Sequence, residues 1–328
     1  MIFTNLTLGE ITLRTKGNHQ LTGYAEEYLG IWGKRTMFFA VIFGIYSALL
    51  AYLIGEGDSF AKLIPGDTSP MFFAISFWII MTLLLKRGLK GLKKIETFGV
   101  ITIIIIVLGM FIKIIPSINL TNLTIINTAN FTLPFGVVLF ALLGFTSIPE
   151  LRKEIKGQEK LLKKAIILGS LIPIILYILF SSIFIGTLGT AITKIATLSF
   201  GPIMIILGIF TMLTSYFVLS YSLQATFKYD IKTPRSTNFI LTSLVPLALY
   251  VILTLLDLAE FILILSIGGV ISGGTTGILI LLMARKAKSK TRNKKQPEIK
   301  MPINLPIIII FSLIFLLGIA TIIMELTH

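Results

Sequence analysis

Between Leu133 and Leu151 the chain reads LPFGVVLFALLGFTSIPEL, an apolar run of membrane-spanning length that carries its own helix breakers. Gly144 lowers helix propensity, and Pro149 has no N–H for the carbonyl of Phe145 while its ring crowds that same carbonyl. The run therefore predicts unpaired backbone polar groups at membrane depth, which are tolerated only against protein or a water-filled cavity. Within one turn stand Gly144, the ring of Phe145, the hydroxyls of Thr146 and Ser147, then Pro149 and Glu150. Freed carbonyls and hydroxyls suit an ammonium group or a small cation, and a half-helix N-terminus favours a carboxylate. The same pattern also reads as a proline-kinked packing helix without any function. Glu150, where the run meets a basic segment, is either an interfacial acid paired with Arg152 or Lys153, or a gate or proton-coupling group.

A second polar set lies at helical spacing in FGPIMIILGIFTMLTSYFVLSYSLQA. Thr211, Thr214, Ser215 and Ser222 fall largely on one face. Such hydroxyls either ligate a hard cation such as sodium across a cavity, or join helices and bond back to their own carbonyls. Tyr46 and Tyr52 are candidates to close over a cavity, or to anchor at the membrane interface. Gly269, Gly273 and Gly277, four apart, predict a face where helix backbones approach closely. Other chemistry is missing. Apart from Lys113, no ionisable residue is expected inside a span, and the histidines are only His19 and His328. A buried carboxylate relay, a histidine metal site and a hydrolase or transferase cluster are therefore not expected, and no cofactor beyond a coupling ion. Without cysteine the chain has neither disulfides nor thiolate metal sites.

These groups need spanning helices to position them. Hydrophobic residues make up 55% of the chain and charged residues 13%, the profile of a polytopic membrane protein. Nine full spans are expected, near 36–55, 70–85, 95–115, 133–150, 162–187, 199–225, 237–256, 259–284 and 303–325. With the N-terminus inside, every one of the 29 lysines and arginines except Lys62, Lys113 and Lys194 lies in an inside segment. Nine spans then place the C-terminus outside. The net charge of +14 follows from this orientation and calls for no nucleic-acid partner. The run KAKSKTRNKK (286–295) is a stop-transfer flank or an anionic-headgroup contact. A polar, amphipathic cytoplasmic segment at 1–35 and a transmembrane domain at 36–328 make up the organisation. Outside loops are expected at 56–69 and 116–132, the latter with Asn-x-Thr sequons at Asn119, Asn122 and Asn130.

At this point the residues resemble a family. LGEITLRTKGNHQLTGYAEEYLGIWGKR (8–35) resembles the cytoplasmic stretch after the second helix of the amino acid/auxin permease family, within the amino acid-polyamine-organocation superfamily. YSALLAYLIGEGD (46–58) is similar to its third helix, VVLFALLGFTSIPEL (137–151) to its sixth and LTSYFVLSYSLQATFKYD (213–230) to its eighth. The resemblance implies an all-α bundle of the leucine-transporter type, with two inverted five-helix repeats around a site between the broken first and sixth helices. It implies a secondary transporter moving amino acids by alternating access, driven by protons or sodium, in the cell membrane; a monomer is expected. Phe140, Gly144, Phe145, Thr146 and Ser147 would then line the substrate site, Tyr46 would face it, and Thr211, Thr214 and Ser215 would stand at the coupling-ion position. The family's first helix and most of its second have no counterpart before Leu8, so the bundle is expected to be incomplete at its N-terminus. Either Met1 is a wrong or internal start, which is the preferred reading, or the product is a truncated, non-transporting scaffold or partner subunit.

Overall fold

A computed structural model describes residues 1–17, 19–87, 92–124, 134–290 and 297–327. The sequon at Asn130 and parts of the basic runs, at 88–91 and 291–295, lie outside the described residues. Every regular element among the described residues is helical. Apart from a single turn at Leu120–Leu123 and short 3-10 turns, these are in chain order α1 (Ile2–Arg14), α2 (Leu21–Leu63), α3 (Pro70–Arg87), α4 (Leu92–Ile114), α5 (Pro134–Ala141), α6 (Ser147–Glu154) and α7 (Lys160–Leu188). They are followed by α8 (Pro202–Thr226), α9 (Arg235–Leu255), α10 (Phe261–Ser289) and α11 (Leu305–Thr327).

Among the described residues six helices are long and apolar enough to cross a membrane: Leu21–Leu63, Gly99–Ser117, Lys160–Ala191, Pro202–Thr226, Arg235–Leu255 and Phe261–Ser289. Pro70–Lys86 and Leu305–Ala320 are apolar but shorter, and the run 133–150 is divided between α5 and α6. Thus six of the nine expected spans meet the length criterion among the described residues. The exterior is equally apolar. Trp32, Ile112, Ile178 and Leu317 expose more than half their surface, at 73%, 72%, 61% and 64%. Facing water such a surface would aggregate; facing hydrocarbon it is the ordinary exterior of a multi-pass membrane protein.

Two features of α2 depart from the sequence reading. Gly30 takes φ 74°, ψ −165° and breaks the helix, a conformation that glycine alone reaches without steric cost. Further on, the expected outside loop from residue 56 is corrected, because α2 continues through Gly55, Glu56, Gly57 and Asp58 to Leu63. The cause is tertiary packing that overrides weak propensity. A methyl group on Gly55 would stand 2.6 Å from Met212 Sδ, and one on Gly57 would stand 2.6 Å from the Pro70 carbonyl oxygen.

By its packing the chain falls into two compact units. The first comprises Met1–Gly44, Thr128–Ile175 and Ser266–His328; the second comprises Ile45–Asn127 and Leu176–Leu265. In the first unit, Leu8, Ile11, Met37, Leu162, Ile280 and Met283 are fully buried in one cluster with Tyr24. The glycine face of α10 does what its spacing predicts. α10 widens into a π turn at Gly269–Gly274, and there a methyl group on Gly269 would collide with the backbone of Gly136 and Phe140 in α5. At Gly273 it would reach Leu139, and at Gly277 the ring of Phe315. The first unit also holds a buried ion network. Glu10, 1% exposed, accepts from Arg14 Nη2 at 2.7 Å and from the Met301 backbone N–H at 2.7 Å, with Lys288 Nζ at 3.7 Å.

In the second unit α9 carries its own π turn at Ile240–Leu244, just before Pro246. A proline cannot donate to the carbonyl four residues back and its ring crowds it, so widening the turn relieves the clash. The carbonyls set free there are met by side chains. Tyr46 Oη donates to the Leu241 oxygen at 2.8 Å, and Trp78 Nε1 donates to the Ser243 oxygen at 2.9 Å.

Candidate functional site

The helix break falls where Gly144 and Pro149 place it. α5 ends at Ala141, α6 begins at Ser147, and Leu142–Thr146 are non-helical. Pro149 occupies the first turn of α6, where its missing N–H costs nothing. At the break Leu142 N–H still bonds back to Val138 and Leu143 N–H to Phe140, while Ser147 N–H reaches the Gly144 oxygen at 3.2 Å. Among the described residues, no backbone bond takes up the N–H groups of Gly144, Phe145 and Thr146 or the carbonyls of Leu142 and Leu143. Donors and acceptors therefore lie side by side, with the positive end of α6 on one side and the negative end of α5 on the other. An arrangement of that kind can receive a carboxylate and an ammonium group on the same molecule.

The residues around the break have different settings. Thr146, Ser147 and Glu150 are exposed and Gly144 is half-buried. Phe145 is 4% exposed and packs in the core cluster with Leu8, Tyr24, Tyr28 and Met283. Phe140, half-buried, stands against the π turn of α10 at Gly269. Arg152 pairs with Glu159, Nη1 to Oε1 at 3.3 Å, rather than with Glu150. One residue of the break's surroundings escaped the sequence reading. Asn5 of α1 is 5% exposed; its Nδ2 reaches Ser170 Oγ at 3.4 Å and would stand 3.6 Å from a methyl group on Gly144, and its buried Oδ1 has no partner among the described residues. An asparagine in an apolar context was the available signal, but residues 1–35 read as a polar segment.

Tyr46 and the hydroxyls of α8 belong to the second unit. Thr211 Oγ1 donates to the Gly208 oxygen at 2.8 Å, and Thr214 Oγ1 donates to the oxygens of Thr211 at 3.0 Å and Phe210 at 3.1 Å. Ser215 hydrogen-bonds with Tyr52 of α2. The hydroxyl protons are thus taken up by helix carbonyls and by a neighbouring helix, while the oxygen lone pairs stay free to accept. Tyr46 is committed through its own hydroxyl to the Leu241 carbonyl.

One expectation is overturned here. α2 does carry an ionisable residue inside a span: Glu56 is 0% exposed, and Ser59, one turn on, is 0% exposed as well. The string GEGD reads as a turn, so this carboxylate was assigned to a loop.

Two comparisons with known proteins bear on this geometry. The pattern of the tryptophan/tyrosine permease family matches residues 1–324. Tyrosine-specific transport system 1 of Haemophilus influenzae is 27% identical over 185 residues, which cover 55% of this chain and 45% of that relative. The match therefore spans somewhat under half the length of the relative.

Proposed function

Since the chain belongs to the tryptophan/tyrosine permease family, we propose that it is a secondary transporter that carries an aromatic amino acid, tyrosine or tryptophan, across the cell membrane by alternating access. This membership corrects the amino acid/auxin permease resemblance. The family match includes residues 1–35, so these residues are no longer assigned to that other family's second helix and loop. The helices counted as missing were those of that other family, and that count is not carried over. A member of a permease family is a transport protein rather than an enzyme.

The observation that carries the proposal is the break at Leu142–Thr146, with unpaired N–H and carbonyl groups inside an apolar helical unit. In this reading the substrate carboxylate takes the N–H groups at the start of α6 and its ammonium group takes the carbonyls after α5. Thr146 and Ser147 add hydroxyls, and Phe140 and Phe145 size the side-chain space. The bundle is of the leucine-transporter type with about nine spans, the N-terminus inside, and the coupling ion is a proton or sodium, with Thr211, Thr214, Ser215 or Glu150 as its contacts. The apolar surroundings of the break favour an aromatic side chain, in line with the relative's tyrosine specificity.

Uptake of labelled tyrosine into proteoliposomes tests this. Accumulation is expected under a proton or sodium gradient, competed by unlabelled tyrosine or tryptophan and not by charged amino acids. No uptake of tyrosine or tryptophan under either gradient would refute it.

A further inference from the structure

The described residues contain two deeply buried glutamates with opposite settings. Glu10 is surrounded by donors from Arg14, Lys288 and the Met301 backbone, which is the setting of an ionised carboxylate. Glu56 has none of these. It is 0% exposed, and among the described residues neither carboxyl oxygen has a hydrogen-bond partner. Ser59, one turn further along α2, is equally buried with its hydroxyl unpartnered.

The packing on both sides of Glu56 is close and brings no charged group. Gly55 stands against Met212 and Phe261, and Gly57 against the Pro70 carbonyl and Ala74. Tyr52 meets Ser215 and Gly55 meets Met212, so α2 and α8 run antiparallel here and Glu56 falls at the level of Thr211. Within the second unit the titratable groups on the packed elements are Tyr46, Tyr52, Asp58 and Lys62 of α2, Tyr216 and Tyr221 of α8, Tyr177 of α7, and Arg235 and Tyr250 of α9, with Asp257 beyond its end. α3 has none before Lys86, which lies over the Phe239 ring, and Glu260, ahead of α10, is paired with Lys194 at 2.5 Å. No ion pair reaches Glu56 among the described residues.

A carboxylate stripped of water, without donor or cation, takes up a proton rather than stay charged. We propose that Glu56 is the site at which this chain binds and releases a coupling proton; the proposal rests on the secondary-transport reading above. In the described conformation it is the neutral acid. When a transport step admits water to it, the O–H bond breaks heterolytically, the proton passes to water and the electron pair stays on the carboxylate. Burial in the next cycle requires a proton from the water then in contact with it, which links one proton to each return.

Infrared spectra of the reconstituted protein at neutral pH test the protonation directly. The wild type is expected to show the carbonyl stretch of a protonated carboxylic acid, unaffected by sodium and lost in Glu56→Gln. In proteoliposomes the same variant is expected to lose the part of tyrosine accumulation that depends on a pH gradient. Absence of the acid band in the wild type, its removal by sodium, or undiminished pH-driven accumulation by the variant would overturn the proposal. The wild-type spectrum decides even if the variant fails to fold. A wild type that keeps the band yet carries no aromatic amino acid would sink the transport reading, and the coupling role with it, while leaving the buried acid in place.

Discussion

Replacing Gly144 by leucine is expected to cut tyrosine uptake into proteoliposomes by about tenfold or more, while the protein still inserts and elutes as a single species. Gly144 stands between α5 and α6, beside the unpaired N–H groups of Phe145 and Thr146. A methyl group there would meet Asn5 Nδ2 at 3.6 Å, an ordinary contact, so Gly144→Ala is expected to keep most activity. The three further carbons of leucine must enter the space where substrate groups would bond. Overpacking costs about 1–3 kcal/mol, roughly 5- to 150-fold in site occupancy. The residue lies in a non-helical stretch, so helix propensity does not add to the effect. Uptake by the leucine variant equal to that of the alanine variant would remove Gly144 from the site.

The largest stability effect is expected at Glu10. Glu10→Ala leaves Arg14 and Lys288 without their carboxylate and the Met301 N–H without its acceptor. Removing one partner of a buried pair costs about 3–5 kcal/mol; the lower end applies because Arg14 and Lys288 keep 12% and 29% of their side-chain surface in contact with solvent. Denaturation in detergent should therefore register a loss of about 3 kcal/mol. A loss below about 0.5 kcal/mol would mean that the network adds nothing beyond a surface pair.

The break at Leu142–Thr146 was legible because its causes are local: a glycine, and a proline five residues on whose effect reaches back to Phe145. The α10 packing face was legible for the same reason, since Gly269, Gly273 and Gly277 recur at helical spacing. Local rules misread α2. Gly55-Glu56-Gly57-Asp58 has the composition of a turn, yet close contact with Met212 and the Pro70 backbone holds it helical and buries the glutamate. The beginning of the chain misled in a similar way. Thr4, Asn5, Thr7 and Glu10 read as a polar segment, but they are buried in α1, and Glu10 is matched by groups 4, 278 and 291 positions away. The α8 hydroxyls stood between packing and ligation, and their bonds to Gly208, Phe210 and Thr211 answer only for their protons. The family assignment failed for another reason. Broken helices, tyrosines and small residues recur wherever membrane helices enclose a substrate, so short strings carrying them do not separate one permease family from another.

The central claim is that the break at Leu142–Thr146 holds the carboxylate and ammonium groups of an aromatic amino acid. The most direct test is competition against labelled tyrosine uptake by tyramine, which keeps the ring and the amine but lacks the carboxylate. With the α6 N–H groups receiving that carboxylate, excess tyramine should leave uptake nearly unchanged where excess unlabelled tyrosine abolishes it. Equal inhibition by the two would contradict the claim.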